Sequence, residues 1–129
     1  MDIAAPIGTA VHASFGGIVL ATGNTDLVRG CYSYGKWIML VHGNGLNTLY
    51  AHLSEIDVAK GQAVSTGQML GLSGMTGYAT GPHLHFGVYA TEGTQIMTLR
   101  QFRGAKIGCA DATMPVATLT AYLNPLSYL

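Results

Sequence analysis

Two histidines one residue apart, His83 and His85, sit in Gly81-Pro82-His83-Leu84-His85-Phe86-Gly87-Val88. The alternation predicts a β-strand with both histidines on one face and Leu84 and Phe86 turned into a core. Two imidazoles on an exposed or cleft-lining face can ligate a metal together, or one can ligate while the other carries a proton. A bare His-x-His is short, and two unpartnered surface histidines produce it about as readily. His52 and Asp2 enlarge the set. Zinc hydrolases use N and O ligands, usually three from the protein, beside a general base and a group that steadies the developing oxyanion. His12 and His42 read as a strand residue and a turn-flanking residue rather than as ligands.

The elements that must position these groups are short strands. Trp37-Ile38-Met39-Leu40-Val41 is a continuous apolar run of strand length, which predicts a central strand buried on both faces. Asn44-Gly45 tolerates the positive φ of a type I′ turn and predicts a hairpin. The returning strand, 46–53, alternates: Leu49, Ala51 and Leu53 share one face, and Thr48, Tyr50 and His52 share the other. Gly61-Gln62 and Gly67-Gln68 predict a tight hairpin into a strand at 69–73. A glycine-rich loop, 74–82, then delivers the chain to the His-x-His strand. Further on, 91–93 reads as a turn, 95–100 as a strand, 101–114 as a loop, and 123–129 as a tail packed back on the domain. Tyr50 and Tyr78 are candidate substrate-groove residues, although strand aromatics more often pack. The expectation is one all-β domain over 1–129, built of antiparallel strands.

Composition agrees. Of 129 residues 49% are apolar, 9% are charged and 18 are glycine, which excludes disorder and disfavours a helical bundle. Six basic residues balance six acidic ones, so no footprint for nucleic acid or an anionic membrane is present. No apolar run has the length of a membrane span. The N-terminus as written lacks a basic segment and an apolar stretch, so no signal peptide is read there; either the protein stays inside or a targeting segment lies upstream. Cys31 and Cys109 are either one long-range disulfide, which suits an exported protein, or two buried thiols, with the disulfide favoured. Nothing calls for more than a monomer.

Several motifs, in order and in register, resemble the lysostaphin/LytM family of zinc endopeptidases. They are Asp2 to Thr9, His42-Gly43-Asn44-Gly45, Thr48-Leu49-Tyr50-Ala51-His52-Leu53-Ser54, the two Gly-Gln steps, Ser73-Gly74, and Thr80 to Phe86, with the ending from Asn124. The resemblance implies a single antiparallel β-sheet or sandwich domain of the duplicated hybrid motif type, with a groove over the sheet. It implies Zn2+ held by Asp2 and His85, His83 as catalytic base or proton shuttle, and His52 as a second catalytic histidine. It implies peptidoglycan peptide as substrate, cut in stem peptides or cross-bridges, and a secreted, periplasmic or cell-wall location for the full-length protein. In the family pattern a first histidine ligand stands four residues before the Asp, a place upstream of Met1. The expectation is a chain truncated before that ligand. The alternative is a metal-free, degenerate domain that binds peptidoglycan or activates a partner hydrolase. A carrier or phosphotransfer module, suggested by the Gly-Gln hairpins, would leave the Tyr50 to Ser54 motif unexplained.

Overall fold

Asn44-Gly45 joins the strands around which the others assemble. In the computed structural model, which describes residues 1–128, the strands in chain order begin with β1 (Asp2–Ala4), β2 (Ala10–His12), β3 (Gly17–Asn24) and β4 (Lys36–Val41). β5 (Leu46–Ile56), β6 (Ala63–Val64), β7 (Met69–Ser73) and β8 (His83–Ala90) follow. β9 (Thr94–Thr98), the short helix α1 (Leu99–Arg103), β10 (Thr113–Ala117) and β11 (Tyr122–Leu123) complete the chain. Leu129, the end of the predicted tail, lies outside the described residues.

The main sheet runs β1-β8-β5-β4-β3-β6, with β11 on β8 and with β7 bridging β5 and β2; every pairing is antiparallel. β4 is buried on both faces, as its apolar run predicts. Ile38 and Leu40 join Tyr50, Leu53, Phe86 and Val88 in one core, while Trp37 and Met39 join Leu49, Ala51 and Tyr89 in the other. The second face is covered by the β9–β10 hairpin, which contributes Ile96 and Ala117. A third cluster, including Met114 and Val116, surrounds the Cys31–Cys109 disulfide, which closes a sequence separation of 78. Among the described residues no helix is long and apolar enough to cross a membrane.

Two local expectations are corrected. The alternation of β5 breaks at His52, whose φ of 61° is the one positive value outside glycine among the described residues. The register against β4 shifts there, from Ile38 opposite Tyr50 to Lys36 opposite Leu53, and the His52 N–H donates to Tyr34 O at 2.8 Å. This bulge puts Leu53 into the core with Tyr50 instead of onto the face of Leu49 and Ala51. The stretch 101–114 is not all loop either. Thr98 and Gln101 form a capping box that starts α1, Gly104 in the left-handed region ends it, and β10 pairs back on β9.

Candidate active site

β8 and β1 place three of the four candidate groups. Their register sets Asp2 opposite His85 and Ala4 opposite His83, so the carboxylate arrives on the face that carries both imidazoles. Phe86 N–H donates to Met1 O at 2.8 Å, which holds β1 against β8 up to its first residue. The fourth group depends on the bulge. By strict alternation His52 would follow Tyr50 into the core, but its left-handed backbone turns the ring out beside the other two. Its centroid lies 4.8 Å from that of His83 and 6.1 Å from that of His85.

Backbone carbonyls set the tautomers. Thr76 O lies 2.7 Å from His52 Nδ1, and Gly81 O lies 2.9 Å from His83 Nδ1. A carbonyl only accepts, so each Nδ1 carries the proton and each neutral ring keeps its lone pair on Nε2. His85 Nδ1–H donates to Asp2 Oδ1 at 2.9 Å, and His83 Nε2 stands 3.7 Å from the same oxygen. That bond from His85 is the main reason the Asp2 carboxyl lies below its ordinary value; burial opposes it, and the nearness of His85 and His83 adds to it. Burial pushes His52 below the usual imidazole value, and the neighbouring His83 and His85 push the same way. The bond to Thr76 and the charge of Asp2 only partly oppose them. His52 is therefore a neutral base at neutral pH.

Thr76 ties this arrangement to the sheet. Its hydroxyl donates to Leu53 O at 2.7 Å and accepts from Lys36 N–H at 3.0 Å, while its carbonyl holds His52. The loop around it packs backbone to backbone against 33–35. Tyr78 N–H donates to Ser33 O at 2.7 Å, and a Cβ on Gly77, which has φ 73°, would collide with Ser33 O. The contact raises two tyrosine-bearing rims around a cleft of about 380 Å³ lined by Asp2, Tyr34, His52, Tyr78, His83 and His85. Tyr34 stacks on His85 with centroids 5.9 Å apart and planes inclined by 23°. An open cleft of this size with converging polar groups takes a small ligand or a stretch of peptide.

Asp2, His52, His83, His85 and Tyr78 thus meet at one place. Tyr50 does not join them. It is 1% exposed in the opposite core, where its hydroxyl accepts from Ser14 N–H and from Thr48 Oγ1, so the expected substrate contact is replaced by a packing role. His12 and His42 bond to Gly67 O and Gly16 O and stay out of the cleft. Tyr34 and Thr76 are the residues sequence reasoning missed. Both lie in loops with no periodicity, and only the glycines at 35 and 77 hinted that those loops approach closely.

A carboxylate and an imidazole suit zinc in kind, but their number falls short. Among the described residues no group of three or more His, Cys, Asp or Glu side chains is arranged to hold a metal ion. The expected pair, Asp2 and His85, would be two of the three protein ligands a catalytic zinc usually has.

Comparison with known proteins gives these groups a setting. Residues 1–97 match peptidase family M23. The peptidoglycan DD-endopeptidase ShyA of Vibrio cholerae is 40% identical over 117 residues, which is 91% of this chain and 23% of that protein. The glycyl-glycine endopeptidase ALE-1 of Staphylococcus capitis is 40% identical over 87 residues, 67% of this chain and 23% of that one. Among solved structures, lysostaphin from Staphylococcus simulans superposes with a TM-score of 0.62 at 38% identity, over 69% of this chain and 35% of that chain. A zinc-containing peptidase from Vibrio cholerae gives 0.60 at 39% identity, over 67% and 25%. The chain spans about a quarter of the length of these two curated relatives.

Proposed function

The chain belongs to peptidase family M23, and from that premise we propose that it is a zinc-dependent endopeptidase domain acting on peptide bonds of bacterial peptidoglycan, in stem peptides or cross-bridges. The observation that carries this reading is the convergence of His52, His83, His85 and Asp2 on one face of the sheet, with the two Nδ1–H groups of His52 and His83 committed to carbonyls. The relative named as a peptidoglycan DD-endopeptidase, ShyA, supports the substrate class.

In this reading the tyrosine rims bind an extended peptide across the cleft. His83 and His52, each with Nδ1 held by a backbone carbonyl, accept the proton of an attacking water and return it to the departing amine. Asp2 and His85 would be the donors this chain offers to Zn2+, which when bound would supply Lewis-acid polarisation of the scissile carbonyl. All of these groups come from one copy, so a monomer suffices, and 1–129 acts as one domain. The Cys31–Cys109 disulfide suits a compartment outside the reducing cytoplasm, which supports a secreted, periplasmic or cell-wall location.

The test is peptide release from purified peptidoglycan by the full-length protein, with zinc content measured alongside. Replacing His83 or His52 by Ala is expected to lower release by roughly 10²-fold or more with bound zinc unchanged. Full activity in both variants refutes the assignment. One observation favours a second reading, a metal-free domain that binds peptidoglycan or activates a partner hydrolase: among the described residues no group of three or more His, Cys, Asp or Glu side chains is arranged to hold a metal ion. Retained peptidoglycan binding without zinc or peptide release selects that reading.

A further inference from the structure

The match to the family ends at residue 97, and the residues beyond it build a second cleft of about 510 Å³ beside the first. Ser33 and Tyr34 line both clefts, so the ring that stacks on His85 is also a wall of the neighbouring space. Leu99, Phe102, Val116 and Leu119 make the rest largely apolar, and Phe102 and Leu119 are exposed. Among the described residues Arg103 is the one charged residue lining it. The two arginines of α1 differ. Arg100 is committed to Asp111, with bonds of 2.8 and 3.1 Å, whereas Arg103 has no ion pair or hydrogen bond among the described residues. The Cys31–Cys109 disulfide and the cluster around Met114 and Val116 hold the loop that carries Tyr34 against this hairpin. The two clefts therefore keep a fixed relation.

We propose that this second cleft is a substrate subsite, holding a short aliphatic residue that bears a free carboxylate, on the same peptide whose scissile bond lies at His83 and His85. The proposal rests on the peptidoglycan reading. It adds that the carboxylate pairs with Arg103 while the small side chain packs on Phe102 and Leu119. A stem peptide that ends in D-alanine has this chemistry: a methyl group beside a carboxylate. A largely apolar wall with a few polar groups and one charge is the make-up of an orienting pocket, and a guanidinium matches a carboxylate's two oxygens. A polyanion would need several cations in place of one, and the chain's charges balance at six and six.

The experiment is amide chemical-shift mapping on the metal-free chain, using a synthetic stem tetrapeptide ending in D-alanine and the same peptide as its C-terminal amide. The free acid is expected to shift Phe102, Arg103 and 117–119 together with Tyr34 and 83–85. Amidation, or Arg103→Ala, is expected to weaken binding about tenfold, with Arg103→Lys recovering part of the loss. Equal binding of acid and amide, or shifts confined to the histidine cleft, overturns the subsite and leaves the peptidase reading standing. No shifts in either cleft overturns the subsite as well, and the peptidase reading then stands or falls on the zinc and peptide-release measurements.

Discussion

Replacing His52 by Gly and by Ala separates the cost of its backbone from the worth of its ring. Both variants lose the imidazole and the 2.7 Å bond to Thr76 O, so those losses cancel in the comparison. What differs is the residue asked to hold φ 61°. In a regular strand Gly is less favourable than Ala by about 0.5–1 kcal/mol. At a left-handed position the order reverses, because the Cβ meets the following carbonyl, at roughly 1–2 kcal/mol. The net expectation is that His52→Gly is the more stable by about 1 kcal/mol, or roughly 4 °C in Tm for a chain of this size. Thermal and urea unfolding of the two variants, followed by circular dichroism at pH 7.5, measures it. An Ala variant as stable as the Gly variant refutes the claim that the bulge forces the backbone at His52. Both variants are expected to lose peptide release, since the orientation of the ring is the use to which the strain is put.

Gly77→Ala places a Cβ against Ser33 O at φ 73°; a loss of about 2 kcal/mol or more in urea unfolding is expected, with the Tyr34 and Tyr78 rims forced apart. Stability should also follow His52 with pH. Its folded-state value lies below the ordinary 6.5, so the unfolded chain takes up a proton first as pH falls through that value. Stability contributed by neutral His52 is complete above about pH 6.5 and drains as pH drops toward the folded value. Urea midpoints from pH 8 to 5 are expected to fall more steeply for wild type than for His52→Gln, and parallel curves refute the assignment. The double variant Cys31→Ser, Cys109→Ser opens a loop with a sequence separation of 78 and is expected to lose about 3–4 kcal/mol, read from the same unfolding curves.

Much of the site was legible because strand physics is local. His83 and His85 share a face through a period of two, and β1 pairing with β8 turned a distant Asp2 into their neighbour. The double burial of β4 followed from its unbroken apolar run. Tyr50 and His52 show where that reasoning stops. Alternation assigns them one face, and no regular strand can send one into the core and the other into a cleft. A single bulge reconciles the two demands, and no Gly or Asn marks it, because the positive φ falls on a histidine. Tyr34 was illegible for a different reason: its place depends on a loop–loop contact through Ser33 and Gly77, which lie far apart in the chain. The start of α1 was missed by the strand and loop readings of 95–114, although Thr98 and Gln101 have capping-box spacing.

The strain at His52 and the tightness of the Thr76 loop are one device. A histidine at φ 61° persists only where its surroundings leave it no alternative. Here its N–H is taken by Tyr34 O, its Nδ1–H by Thr76 O, and the following residue's carbonyl by the Thr76 hydroxyl. These three bonds come from the two loops that also form the rims of the cleft. Any change that loosens the rims therefore also releases the histidine. Mutations at Gly35, Thr76 or Gly77, none of which is proposed to touch a reacting atom, should lower turnover more than they weaken binding of a peptide that reaches only the second cleft.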